Sequence, residues 1–156
     1  MGISAGAYAN EVDRQATTST TDSDATDMTY FVNYTMGSVS LGYQKGYIDR
    51  GHSSATTALT TAKTVAASAG FFEAEQMSIA FNVNDNLTVS YTDQTDTYDA
   101  QSSSVTADVD MDTDSINIAY TVGSMSIAIV DSSQDNVGWD SDAGSASRQE
   151  LSVRLA

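Results

Sequence analysis

Few side chains in this sequence could do chemistry, and their spacing decides what that chemistry could be. Asp108, Asp110, Asp112 and Asp114 (DVDMDTD) place carboxylates at alternate positions, which invites a calcium loop. An EF-hand loop needs glycine at position six and glutamate at position twelve. Counted from Asp108, those positions hold Thr113 and Ala119, so the motif fails and leaves an acidic run with weak calcium affinity at most. His52 is the single histidine and there is no cysteine, which excludes a histidine-based triad and a zinc site built from several histidines. Asp140/Asp142 and Glu73/Glu75 have the composition of acid/base couples, but alternating acids between apolar runs are usually solvated. Trp139, in NVGWDSD, reads as a loop anchor or an interfacial belt residue. No glycine-rich phosphate loop is present. The expectation is therefore a protein with no catalytic, cofactor-binding or dedicated metal-ligating residues.

Composition narrows the partners. The formal net charge is −15 over 156 residues, with the acids concentrated between the apolar runs. Nucleic acid needs a basic footprint, and anionic lipid surfaces attract polybasic ones, so both are disfavoured. Cations are attracted instead. Proline is absent, as suits a chain of many paired strands. No run approaches the roughly 20 apolar residues of a membrane helix. MGISAGAYAN lacks the basic and apolar regions of a signal peptide, so an exported precursor would carry its signal on other residues. Length fits a single domain over residues 1–156.

The elements follow from alternation. In SINIAYTVGSMSIAIVD, Ile116, Ile118, Tyr120 and Val122 alternate with small or polar residues, turn at Gly123-Ser124, and resume as Met125, Ile127 and Ile129. Period two with a two-residue turn predicts a hairpin with one apolar face. MTYFVNYTMGSVSLGYQ repeats the pattern about Gly37-Ser38, and MSIAFNVNDNLTVSYTD about Asn84-Asp85-Asn86. A weaker strand at residues 3–9 and a closing strand, RQELSVRLA, complete the set. The connections between hairpins are long and polar (Glu11–Asp27, Gly51–Gly70, TDTYDAQSSSVTADVD and SSQDNVGWDSDAGSAS), and Gly51–Gly70 has room for a short helical turn. Tight turns on one side and long loops on the other predict an all-β, up-and-down antiparallel meander of about eight strands.

What the apolar face touches is the functional question. It carries no charge near the tight turns, and tyrosine recurs on it (Tyr30, Tyr34, Tyr43, Tyr91, Tyr120). Stepping away from each tight turn, its first charged residue is Lys45, Glu75, Asp93, Asp114 or Asp131, at nearly one strand height. A ring of charge at one level is how a membrane band ends. The band is short: three to five apolar positions per strand give on the order of 15–20 Å, against roughly 25 Å in transmembrane barrels. The opposite face is Ser, Thr, Asn, Ala and Gly, as in a barrel interior. Its candidate pore-lining residues are Arg148, Glu150, Arg154, Asn117, Asn82 and Asn33. The alternative reading packs the apolar faces together in a soluble β-sandwich or surface-fibre module.

MSIAFNVNDNLTVSYTD, DTDSINIAYTVGSMSIAIVD and the closing RQELSVRLA together resemble the C-terminal part of Gram-negative outer-membrane porins, most of all the acidic porins of marine alphaproteobacteria. The resemblance runs from about Met28 to the end. It implies half of a sixteen-stranded, homotrimeric, water-filled barrel in the outer membrane, passing small hydrophilic solutes and ions passively. Lipid and lipopolysaccharide would be its partners, with weak calcium bridging at the acidic loops. Porin chains normally end on an aromatic residue, and this sequence stops at Ala156, as a clipped C-terminal half would. A complete eight-stranded barrel, serving as an anchor or in adhesion, is the other membrane architecture the pattern allows.

Overall fold

A computed structural model describes residues 1–13, 24–50, 70–99, 109–140 and 142–155. Alternation along these segments produces eight strands: β1 (Gly2–Val12), β2 (Ala25–Met36), β3 (Val39–Asp49), β4 (Phe71–Asn84), β5 (Leu87–Asp99), β6 (Val109–Val122), β7 (Met125–Gln134) and β8 (Ala146–Leu155). All are antiparallel and each pairs only with its neighbour in sequence, giving one sheet ordered β1 to β8. The fold is an all-β up-and-down meander in one layer. Among the described residues no ladder joins β1 to β8.

Three tight turns set the register. Gly37 (φ 60°) and Gly123 (φ 58°) open the first and third, placing glycine at the first central position as a type II′ turn requires. A Cβ at either glycine would meet nothing within 4 Å, so the demand is conformational rather than steric. The middle turn, Asp85-Asn86, uses side-chain capping instead: the Asn86 amide donates to Asn84 Oδ1 at 2.9 Å, beside a register shift at Asn82/Asn84.

Several strands run beyond the apolar alternation. Thr95–Asp99 extends β5 and Val109–Asp110 opens β6, where the sequence reading expected a polar connection. The reason is that a ladder bonds backbone to backbone and needs no apolar side chain. Cross-strand hydroxyl–carboxylate pairs support the extension: Thr95 Oγ1 donates to Asp112 at 2.8 Å and Thr97 Oγ1 to Asp110 at 2.6 Å. The acids Asp110, Asp112 and Asp114 therefore stand on a strand. Gly51 to residue 69, His52 and Asp108 lie outside the described residues.

Registry gathers the side chains onto two faces. One, the apolar face, carries Met28, Tyr30, Val32, Tyr34 and Met36 of β2 beside Tyr43, Leu41 and Val39 of β3. It continues through Met77, Ile79 and Phe81, then Tyr91, Val89 and Leu87, to Ile129, Ile127 and Met125 and Leu151, Val153 and Leu155. Almost nothing covers it. Among the described residues Tyr98 is the single buried large apolar side chain; Ile79, Phe81, Leu41, Val153 and Leu155 are exposed, and Val39, Val89 and Ile127 between them are half-buried. Burying one such side chain contributes about 1.5–3 kcal/mol. A dozen or more left in water forgo on the order of tens of kcal/mol, more than the 5–15 kcal/mol net stability of an ordinary domain. Among the described residues nothing packs across this face.

Candidate functional site: the charge line, the polar face and its long-loop end

The charge line on the apolar face is built from direct cross-strand pairs: Glu11 with Thr26, Lys45 with Glu75, Asp93 with Asp114, and Asp131 with Gln149. These pairs do not share one register row. Relative to the row through Lys45, Glu11 and Thr26 sit four residues toward the long loops. Asp93 and Asp114 sit two residues toward the tight turns, and Asp131 and Gln149 four. The tight turns climb in the same sense, by two residues per hairpin. A climb of about one residue per strand, with a rise near 3.3 Å and a spacing near 4.8 Å, corresponds to strands tilted by about 35°. In a sheet tilted that way, the turns lie at one height, and so do the pairs Lys45–Glu75, Asp93–Asp114 and Asp131–Gln149, with Glu11–Thr26 about two residues further toward the long loops.

Lys45 is the one cation of this line, and its ammonium lies 2.6 Å from Glu73 and 3.2 Å from Glu75. Glu73/Glu75 is therefore an ion-pair clamp rather than an acid/base couple. Asp114 accepts the Tyr91 hydroxyl, and Asp140 accepts the Asp142 amide at 2.9 Å. Tyr47 and Phe71 form a second aromatic layer beyond the clamp, with ring centroids 5.8 Å apart. Glu11, Asp13 and Asp24, at the long-loop end of β1 and β2, bring carboxylate oxygens within 4.8 Å of one another; all three are exposed.

The opposite, polar face is layered. Near the tight turns it is small, and Asn33 and Ser78 lie so close over Gly42 that a Cβ there would be 3.0 Å and 2.5 Å from their oxygens. On β1 and β2 the Phe31 ring lies across Gly6, 2.7 Å from where a Cβ would stand. A row of amides follows: Gln44, Gln76, Gln94, Thr113 and Gln134 are directly paired across five strands. Gln76 donates to Gln94 at 3.2 Å, and Gln134 donates to Thr113 at 3.1 Å. This row was legible as glutamines adjoining charge-line residues (Gln44-Lys45, Glu75-Gln76, Asp93-Gln94), because neighbours on a strand face opposite ways.

All six candidate pore-lining residues belong to this polar face, but they do not converge. Asn33, Asn82 and Asn117 are spread over β2, β4 and β6; Asn82 accepts from Thr88 at 2.8 Å and Asn117 donates to Ser115 at 3.3 Å. Arg148, Glu150 and Arg154 lie along the open edge strand β8, where Arg148 pairs with Glu150 at 2.5 Å.

At the long-loop end the polar face turns aromatic. Phe72 and Tyr98 pair directly with ring centroids 4.8 Å apart. The β7–β8 connection reaches over them: Trp139 lies edge-on to Phe72 at 5.7 Å, and its Nε1 donates to the Asp96 carbonyl at 2.9 Å. Trp139 is thus a loop anchor. Its φ of 59° is unfavourable for a bulky residue, and this packing holds it there. Asn136 pins the same connection by donating to the Asp110 carbonyl at 2.8 Å. The Arg50 guanidinium lies 5.9 Å from the Phe72 ring centre. Around this cluster opens a cleft of about 630 Å³, lined by Tyr8, Asp27, Ile48, Arg50, Phe72, Asp96 and Trp139 among others. The sequence reading missed it; the available signal was Phe72, a large apolar residue that breaks the alternation of FFEAEQMSIAF.

Compared with known proteins, the chain matches no family model, no curated protein and no solved structure.

Proposed function

We propose that this chain is part of an outer-membrane porin, a β-barrel that lets small hydrophilic solutes and ions diffuse passively, with no catalytic step. The observation that carries the reading is the exposed apolar band, kept level by a register climb that matches a barrel tilt of about 35°. Lipid is the covering such a band calls for, since an open single layer provides no core. The small residues, amide row and Arg148–Glu150–Arg154 edge of the other face then border water. The unpaired β1 and β8 edges call for further strands, as in half of a sixteen-stranded, trimeric barrel. Lipopolysaccharide would meet the acids beyond the charge line, with calcium as a weak bridge. The soluble-module reading requires a separate partner to cover the whole apolar face.

A closed eight-stranded barrel has one observation of its own. From Glu11 on β1 to Gln149 on β8 the charge line climbs eight residues, so sliding β1 past β8 by a similar amount would also keep the band level. Its interior would be filled rather than open. Outer-membrane fractionation with heat-dependent gel mobility tests both membrane readings, and single-channel conductance of the protein in planar bilayers separates them. A folded, monomeric protein in detergent-free buffer would refute both.

A further inference from the structure

The cleft at the long-loop end of the polar face belongs to none of the layers a bare water channel needs. Its walls are rings and aliphatic carbon: Tyr8, Ile48, Phe72 and Trp139. Its charges are Asp27 and Asp96 on the polar face against one cation, Arg50. Glu73 also borders it, but its carboxylate is held by Lys45 on the other side. Its volume of about 630 Å³ falls among those of small-molecule sites.

We propose that this cleft binds a small organic cation, an alkylated or quaternary ammonium, by seating it against Trp139 and Tyr8 with Asp27 and Asp96 supplying the counter-charge. The choice among ligand classes follows from the walls. Aromatic faces attract cations through their quadrupole, Trp best of all. The fold already contains one instance, the Arg50 guanidinium over Phe72 at 5.9 Å. A hydrated metal ion gains little from apolar walls and loses hydration there, whereas an alkylammonium presents methyl groups to the rings while keeping its charge. Anions meet an excess of carboxylate, in a chain whose net charge of −15 already concentrates cations around it. A neutral polyol has no charge to pair with Asp27 and Asp96. As a step in transport the site rests on the channel reading, since it would then stand at the mouth of the water-filled side; as a binding site it does not.

The chain has a single tryptophan, and it lines the cleft, so Trp139 emission reports occupancy directly. With the protein folded in detergent micelles, choline chloride is titrated against sodium chloride, sodium acetate and glucose. The expected result is a saturable emission change with choline alone. Tyr8→Leu, an exposed strand position, is expected to weaken that response about three- to thirtyfold, the range of a cation–π contact. Asp96→Asn is expected to weaken it as well, and Tyr8→Leu decides if Asp96→Asn does not fold. No saturation with choline, an equal response to sodium chloride, a saturable response to glucose, or an unchanged response in Tyr8→Leu would overturn the site. Binding without conductance by the full-length protein would sink the channel reading and leave the site standing; conductance without binding would do the reverse.

Discussion

Ile79→Arg places a charge at the centre of the apolar band. Ile79 lies on β4 between Leu41 and Tyr91, four residues from Glu75 on the charge line and five from Asn84 at the tight turn. At about 3.3 Å per residue and a tilt near 35°, it is roughly 11 Å from the line and 13 Å from the turn. In lipid, arginine at mid-band costs about 2–4 kcal/mol, or roughly 30- to 900-fold in the folding equilibrium. In water, a side chain 46 % exposed in the isolated sheet should tolerate the change within about 0.5 kcal/mol. Two controls calibrate the effect. Ala80→Arg, one residue on, points to the polar face, and Met77→Arg lies at the charge line opposite Asp93, where it gains a partner. Both should cost under about 1 kcal/mol. Urea unfolding from phosphatidylcholine vesicles, followed by Trp139 emission, gives all three values. If Ile79→Arg costs no more than its controls, the apolar face does not contact lipid and the membrane reading is refuted.

Other outcomes test particular contacts. Gly6→Val should cost about 1–2 kcal/mol because its Cβ would press on the Phe31 ring. In a Phe31→Ala background much of that cost should vanish, and additive effects in the double-mutant cycle would show the ring is not the obstacle. Asp93→Asn removes one of two carboxylates facing each other across β5 and β6, so the melting temperature should rise at low salt and the gain should fade near 1 M; a gain independent of salt would contradict the charge explanation. Trp139→Leu should release the β7–β8 connection, speeding proteinase K cleavage there while Val137→Ala does not, and equal rates would remove Trp139 as the anchor.

The hairpins, their turns and the two faces were readable because alternation and glycine placement are local properties of strands. Lys45, Glu75, Asp93, Asp114 and Asp131 could be recognised as one line of charge on the apolar face for the same reason, by counting outward from each turn. Strand ends were not readable, since the ladder at Thr95–Asp99 is held by backbone bonds and by hydroxyls donated to Asp110 and Asp112, residues distant in sequence. The aromatic cleft was hidden more deeply. It depends on Trp139 crossing to Phe72 and Asp96, a long-range docking that no periodicity records. Alternation put Asn33, Asn82 and Asn117 on one face without any sign that they stand apart, because period two gives a side and not a distance.

The two-residue climb per hairpin has a consequence for how such a sheet can grow. Each hairpin is related to the next by a screw operation: two strands across, two residues along. Among the described residues every strand touches only its sequence neighbours, so appending one hairpin leaves every other pairing intact. It also leaves the apolar band level, because the new hairpin continues the same climb. Sheet width can therefore change in units of two strands while the depth of the apolar band stays fixed. Duplication of a hairpin such as Ser115–Asp131 would widen the sheet without redesigning it, leaving the residues of the polar face free to vary independently of the pairing.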